Sequence, residues 1–152
     1  MATEKDARKR IVKALKEFDA QPVENIGTIG CPDVECTLGW IELKYLKAWP
    51  KRADTLVRFP IYTPQQRSWQ RRRRRRGGNV WMLVKVGRNE WLLYDAEAAA
   101  NLLGRLNRTQ MEQTAILHLR DHFDKDRLVF AMLQGLPDVT PSGTREDAKA
   151  ET

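Results

Sequence analysis

The sequence predicts a single α/β domain, and three patterns support this prediction. Residues 4–19 have apolar side chains at helical spacing, whereas residues 40–45 alternate between the two faces of a half-buried strand. A second helix signal follows at 63–76, and two further strand signals lie at 80–86 and 90–94. Helices and strands therefore mix along the chain, as they do in a sheet that is covered by helices.

Length and composition are consistent with one domain. A chain of 152 residues, 41% hydrophobic and 31% charged, can bury a core. Two cysteines do not make a disulfide scaffold, and no apolar run reaches the roughly 20 residues of a membrane span. The N-terminus does not resemble a secretory signal. We therefore expect a cytoplasmic protein that is not associated with a membrane, with one domain at 1–134 and a disordered tail at 135–152.

The first half of the chain predicts one helix followed by strands. The helix at 4–19 has Thr3 as its expected N-cap. The strand at 40–45 is preceded by a further expected strand within 30–38. Residues 57–62 are expected to be extended.

The second half begins with a strong helix start at Thr63. Threonine is a favoured N-cap, proline is favoured at the first helical position, and Gln66 completes a capping box. Gly77 is expected to end this helix, and a turn at 87–89 joins the next two strands.

Additional helices are expected after the last of these strands. Asp95 is suited to cap a helix that runs to about Leu106, and Thr109 with Glu112 marks a helix that runs to about His122. A last helical segment is expected at 128–133. These C-terminal helices, at 95–134, follow the core at 4–95 that contains the motifs described below.

Positive charge is concentrated in one window of the chain. Residues 44–88 contain 14 Lys or Arg and a single acid, Asp54, whereas the rest of the chain has a net charge of −6. Such a concentration indicates a polyanionic partner, most simply nucleic acid. A solvated basic face is the alternative interpretation.

Two carboxylates and a lysine form the most informative group. Glu42 and Lys44 are two residues apart on a predicted strand, so they share a face, and Asp33 on the preceding strand can lie beside them. Carboxylate oxygens suit Mg²⁺, which can activate water for attack on a phosphodiester. The same residues also fit an exposed set of cross-strand charges.

Three segments together resemble a known family. They are Gly30-Cys31-Pro32-Asp33, Trp40-Ile41-Glu42-Leu43-Lys44 and Tyr62-Thr63-Pro64-Gln65-Gln66-Arg67-Ser68-Trp69. In order and spacing they resemble the PD-(D/E)XK nuclease superfamily, and within it the virus-type replication-repair nucleases (VRR-NUC) and Holliday-junction resolvases of phage or prokaryotic type. The resemblance implies a restriction-endonuclease-like core, with a helix, a mixed central sheet, a second helix and further strands.

The resemblance also implies roles for individual residues. Asp33 and Glu42 would bind Mg²⁺ or Mn²⁺, together with the backbone carbonyl of Leu43. Lys44 would orient or activate the attacking water. Gln66 would lie just behind the metal site, in addition to its capping role. Glu4 best matches the carboxylate that the family carries on its first helix; an interaction with the helix dipole is its alternative role.

The six consecutive arginines at 71–76 are unusual for a helix, because like charges at i,i+4 repel one another. Contact with a DNA backbone would relieve this repulsion by releasing counterions. Arginine stems that cover the sheet are the alternative. The candidate DNA-binding residues are Arg67, Arg71, Arg72, Arg73, Arg74, Arg75, Arg76, Lys47, Lys51, Arg52 and Arg58.

The expected function is therefore that of a metal-dependent DNA endonuclease, most simply a homodimeric Holliday-junction resolvase in DNA recombination or repair, acting on branched or duplex DNA. Two alternatives remain open: a flap, nicking or end-processing nuclease, and a non-catalytic DNA-binding module on a nuclease fold.

Overall fold

The computed structural model describes residues 3–23 and 30–135 of the chain. These residues contain five α-helices and six β-strands in an α/β arrangement, which confirms the fold class predicted from the sequence. No helix in this described part combines the length and the apolar character that a bilayer crossing requires. The predicted tail at 135–152 lies outside the described residues, apart from Gly135.

Helices and strands have the following bounds. The helices are α1 (Glu4–Ala14), α2 (Pro64–Arg75), α3 (Ala96–Leu102), α4 (Arg108–Thr114) and α5 (Lys125–Gln134). The strands are β1 (Gln21–Pro22), β2 (Val34–Cys36), β3 (Gly39–Leu46), β4 (Val80–Val86), β5 (Glu90–Asp95) and β6 (Leu117–Leu119). A short 3-10 helix, Lys16–Phe18, follows α1.

The six strands form one mixed sheet in the order β1-β2-β3-β4-β5-β6. Within it β3 and β4 are parallel, with Trp40 opposite Val80 and Leu46 opposite Val86, and the other neighbouring pairs are antiparallel. Parallel neighbours need a crossover connection, which residues 47–79 supply through α2. The crossover brings α2 back over β3, where the candidate site lies.

Helices cover both faces of this sheet. On one face α1 and α5 pack over the strands, and Ile11, Leu43 and Leu128 are fully buried there. On the other face α3, α4 and the loop that follows β3 cover Met82 and the strand residues beside it. Glu42 and Lys44 point to this second face, because they alternate with Leu43 along β3.

The helices and strands with strong local signals agree with the sequence prediction. The helix α1 begins at Glu4 after a Thr3 cap, and α2 begins at Pro64 after a Thr63 capping box. The hairpin of β4 and β5 also lies where it was predicted. The strand expected within 30–38 is shorter than that range, since β2 contains three residues. The helix predicted at 4–19 ends at Ala14, before the separate 3-10 helix, and α3 ends at Leu102 instead of Leu106.

Residues 57–62 do not form the predicted extended segment. They make a turn, in which Tyr62 N–H donates to the Phe59 carbonyl, and the nearest bridge is an isolated one between Leu56 and Asn107. Val57 and Phe59 are buried against the sheet. Their apolar character therefore reflects packing over β4 and β5 instead of strand pairing.

The helix predicted from Thr109 to His122 was wrong in its second part. Asn107, not Thr109, caps α4, which ends at Thr114. The following residues form β6, an edge strand that pairs with β5 and places Leu119 opposite Trp91. A three-residue edge strand depends on its partner strand, and the local sequence contains little sign of it.

Candidate active site

Glu42 and Lys44 lie side by side on β3. Their side chains are 1% and 4% exposed, and Lys44 Nζ is 3.3 Å from Glu42 Oε1. A carboxyl group and an ammonium group therefore meet in a place where an unpaired charge would be costly. The predicted shared face is confirmed, but the two residues are buried and do not form an exposed charge pair.

Asp33 reaches the same place from the segment before β2. The pairing of β2 with β3 ends where Val34 lies opposite Ile41, so the N–H of Leu43 has no partner on β2. It donates instead to Asp33 Oδ2 at 2.9 Å. Since the N–H and C=O of one strand residue face the same edge, the Leu43 carbonyl also faces the Asp33 side.

The environment of Glu42 fits a divalent cation. Burial is the main cause that raises the pKa of Glu42 to about 9; the negative charge of Asp33 acts in the same direction, and Lys44 opposes both. Within the described residues, Glu42 Oε2 is buried without a hydrogen-bond partner. A hard cation such as Mg²⁺ or Mn²⁺ would ligate this oxygen and balance the two carboxylates.

The ammonium group of Lys44 is held by three acceptors. Besides Glu42, it donates to Gln66 Oε1 at 3.0 Å and to the Ile61 carbonyl at 3.2 Å. The ring of Tyr62 lies below it, with its centroid 5.6 Å from Nζ. An ammonium has three protons to donate, so its position is well determined.

Gln66 completes the predicted capping box and also contacts Lys44. Its Oε1 accepts from the Thr63 N–H at 3.0 Å, while its own N–H donates to Thr63 Oγ1 at 3.1 Å, which completes the capping box. The same Oε1 accepts from Lys44. The cap of α2 is therefore connected directly to the buried lysine.

Gly30 explains how the Asp33 segment approaches α2. Its φ of +89° is one that L side chains rarely adopt, and a Cβ there would lie 2.4 Å from the Gln65 carbonyl oxygen. Only glycine allows the two backbones to come this close. The first residue of the Gly30–Asp33 motif thus has a packing role that brings Asp33 toward the start of α2.

Glu4 lies at the edge of the site. Together with Lys44, Arg58 and Ile61, it lines a cavity of about 90 Å³. Among the described residues, Glu4, Asp33 and Glu42 do not form a group whose carboxylate oxygens all lie within 4.8 Å of one another. Glu17, the other glutamate at 4–19, pairs with Lys125 at 2.9 Å. The structure therefore places Glu4 in one cavity with Lys44 but does not join it to Asp33 and Glu42 in a single cluster.

Sequence reasoning did not identify Ile61 or Tyr62. Ile61 contributes a backbone carbonyl, which any residue type carries, so no sequence signal could have indicated it. Tyr62 is 4% exposed, and its hydroxyl is hydrogen-bonded to Gln70 Oε1. This aromatic residue begins the segment at 62–69 that resembles the nuclease family, but the resemblance implied no role for it.

Several arginines of α2 bind α3. Arg71 donates to the Asn101 side chain at 2.7 Å and to the Ala100 carbonyl at 3.0 Å, and Arg67 also donates to Ala100. Two ion pairs join the same helices: Arg74 with Asp95 at 2.6 Å, and Arg75 with Glu97 at 3.1 Å. The repulsion within the arginine run is thus partly relieved inside the protein, a role that the sequence pattern alone did not indicate.

The remaining basic candidates are exposed. Arg72 and Arg76 make no side-chain hydrogen bond within 3–23 and 30–135, and Arg73 lies over two tryptophan rings. The candidates after β3 are also exposed, and one of them, Arg52, pairs with Asp54 at 3.1 Å. These candidates are Lys47, Lys51, Arg52 and Arg58.

A second group of possible metal ligands lies elsewhere on the sheet. Glu90, Glu112 and His118 each have a ligand atom within 4.8 Å of the others. Partners in the protein already use these groups: Trp49 donates to Glu90 at 2.8 Å, and Arg108 pairs with Glu112 at 2.9 Å. We interpret the group as a hydrogen-bonded network.

The raised pKa of Glu42 predicts a stability that depends on pH. Without a cation, folded Glu42 keeps a proton that the unfolded chain has lost between pH 4.5 and about 9. The free energy of unfolding should therefore fall as pH rises through this window, by at most about 1.4 kcal/mol per pH unit. Urea unfolding in EDTA measures this slope.

Glu42→Gln should remove this contribution, because an amide does not titrate. Glu17→Gln is the matched control, since it removes an exposed carboxylate that is 59% accessible and should leave the slope unchanged. An identical pH dependence in wild type and Glu42→Gln would contradict the assigned environment of Glu42.

A comparison of the chain with family models, curated proteins and solved structures finds no match in any of the three.

Proposed function

We propose that the protein is a divalent-metal-dependent DNA endonuclease. The observation that carries the proposal is that Asp33, Glu42 and Lys44 come together at Leu43, where β3 is no longer paired with β2. Among the described residues, one carboxylate oxygen of Glu42 is buried there without a hydrogen-bond partner. Two carboxylates next to a fixed lysine are suited to phosphodiester hydrolysis. The excess of positive charge at 44–88 favours DNA, a polyanion, as the substrate.

Each residue would have a distinct role. Asp33, Glu42 and the Leu43 carbonyl would hold Mg²⁺ or Mn²⁺, which supplies charge neutralisation at the phosphate and a more acidic water. Lys44 would orient the attacking water or stabilise charge at a phosphate oxygen, exchanging one of its three present acceptors for that group. Gln66 and the Ile61 carbonyl fix the direction of the Lys44 ammonium. By the resemblance, Glu4 would supply the carboxylate of the first helix, from the wall of the cavity that it lines together with Lys44.

The fold supports a restriction-endonuclease-like core. The order of α1, the antiparallel pair β2 and β3, the helix α2 and the parallel strand β4 agrees with the expectation from the resemblance. By the same resemblance we propose a Holliday-junction-resolvase-like activity in the cytoplasm, performed by a homodimer, since two strands of a symmetric junction are cut by two copies. The mass in solution would measure the oligomeric state.

Two alternative functions lead to different products. A flap, nicking or end-processing nuclease would use the same chemistry on another DNA structure. A non-catalytic DNA-binding module would bind DNA without cutting it. The buried Glu42–Lys44 pair favours an enzyme, because an unpartnered buried carboxylate oxygen is costly unless it serves a ligand.

The proposal is tested with labelled four-way junction, flap, nicked duplex, intact duplex and single-stranded DNA. Cleavage should require Mg²⁺ or Mn²⁺, stop in EDTA and return when Mg²⁺ is added in excess. Junction cleavage at paired positions supports the resolvase, whereas a different preferred substrate supports a flap or nicking enzyme. Binding without cleavage of any substrate would contradict the enzyme proposal.

Variants of Gln66 separate its capping role from its proposed role in the site. Gln66→Ala removes both contacts, so stability should fall by about 1 kcal/mol and turnover should fall as well. Gln66→Glu keeps the capping oxygens but adds a charge beside Lys44, so it should fold normally and cut slowly. Thermal unfolding and single-turnover cleavage measure the two effects. Normal turnover in both variants would leave Gln66 with the cap alone.

A further inference from the structure

Arg73 differs from the other arginines of the run at 71–76 in how it is held. Its guanidinium lies over the ring of Trp69, 4.7 Å from the centroid, and over the ring of Trp40 at 5.5 Å. Its stem packs on Gly78, where a Cβ would lie 2.6 Å from the Arg73 Cγ and Cδ atoms. Two aromatic rings and a glycine therefore hold this side chain in one orientation.

This arrangement leaves the donors of Arg73 free. Arg71, Arg74 and Arg75 use theirs on α3, whereas the Arg73 guanidinium makes no hydrogen bond or ion pair within the residues the structure describes. The residue is nevertheless exposed to solvent. A cation–π contact orients the guanidinium plane without using its N–H groups, and a planar fork of donors matches a phosphate.

Arg73 lies over the face of β3 that also carries Glu42 and Lys44. Trp40 is two residues before Glu42 on the same face of β3, which corresponds to about 7 Å along the strand. On α2, Arg73 is two turns after Gln66, or about 10 Å, and the two residues lie on one side of the helix. Cys31 packs against the same cluster as Trp40 and Trp69, so the segment that leads to Asp33 passes beside the two rings that Arg73 covers.

We propose that Arg73 binds a phosphate next to the scissile one, on the strand that is cut. This inference rests on the proposed nuclease function. It describes the path of the DNA strand that is cut, which would pass Lys44 and Glu42 and then reach Arg73. Arg71, Arg74 and Arg75 would have a different task, which is to fasten α2 to α3. The alternative is that Arg73 only covers the two tryptophans.

The test measures binding to DNA in which single phosphates near the cleavage site are replaced by neutral methylphosphonates, with Ca²⁺ in place of Mg²⁺. Wild type should lose about tenfold in affinity at one flanking position, the amount expected for a charged hydrogen bond. Arg73→Gln should lose about as much on unmodified DNA and should show no further loss at that position. Arg72→Gln removes the same charge one residue away and should keep the sensitivity.

Arg73→Lys is the second informative variant. It keeps the charge but lacks the planar fork, so it should bind unmodified DNA more weakly than wild type and show a reduced loss at the same phosphate. If Arg73→Gln does not fold, as thermal unfolding would reveal, Arg73→Lys decides the question alone. A wild-type sensitivity profile in Arg73→Gln, or in Arg73→Lys where only that variant folds, would overturn the inference.

Two experimental outcomes distinguish a wrong role for Arg73 from a wrong nuclease function. If wild type cuts DNA and the Arg73 variants keep its sensitivity profile, the role of Arg73 is wrong and the nuclease proposal stands. If wild type neither binds nor cuts DNA with divalent ions present, both are wrong.

Discussion

Replacing Glu42 by glutamine is expected to reduce DNA cleavage to the level of a protein-free control. The amide has nearly the same shape, but it removes the charge that would bind a cation together with Asp33. Lys44→Met should lower the rate of cleavage by about 10²–10³-fold, the range found when one donor that stabilises charge in the transition state is removed. Single-turnover cleavage at saturating enzyme measures both effects.

DNA binding provides the control for these variants. In Ca²⁺, Glu42→Gln and Lys44→Met should bind DNA within a few-fold of wild type, because the basic surface is unchanged. Asp33→Asn should behave like Glu42→Gln, since it retains an acceptor for the Leu43 N–H. Cleavage at the wild-type rate by a clean Glu42→Gln preparation would contradict the proposed site.

The arginine run is expected to separate into two groups: one whose replacement lowers DNA affinity alone, and one whose replacement also lowers the stability of the fold. Arg72→Gln combined with Arg76→Gln changes exposed side chains, so DNA affinity should fall while stability stays constant. The slope of log K against log salt should flatten by up to about 0.9 for each phosphate that the variant no longer neutralises. Fluorescence anisotropy at several salt concentrations measures this slope.

Arg71→Gln combined with Arg74→Gln is the matched second variant. It removes the same number of charges, but it also breaks the bonds to Asn101, Ala100 and Asp95. Its melting temperature should therefore fall by about 2–4 °C for each 1 kcal/mol by which the free energy of unfolding decreases. If this pair leaves stability unchanged and the Arg72 and Arg76 pair lowers it, the assignment of the two groups is wrong.

Local signals explain which parts of the fold could be predicted. The capping box at Thr63 and the turn at 87–89 specify their helix and hairpin through adjacent residues, and both are confirmed. The strand β6 could not be predicted in this way, because its pairing with β5 joins residues more than twenty positions apart. Residues 57–62 have apolar side chains because they cover the sheet, a reason that composition does not distinguish from strand formation.

The same contrast holds for the candidate site. The two-residue period of a strand placed Glu42 and Lys44 together, and a cap residue placed Gln66 at the start of α2. The Ile61 carbonyl could not be predicted, because a backbone acceptor has no sequence signal. The bonds from the arginines to α3 also depend on how two helices pack, so the run alone suggested only a free charged surface.

The central claim is that Asp33 and Glu42 bind a divalent cation, and manganese binding tests it most directly. The free Mn²⁺ signal in electron paramagnetic resonance should fall when wild type is added without DNA. Glu42→Gln should leave the signal unchanged at the same concentrations, whereas Glu112→Gln, in the separate network of Glu90 and His118, should bind as wild type does. Equal Mn²⁺ binding by wild type and Glu42→Gln would contradict the claim.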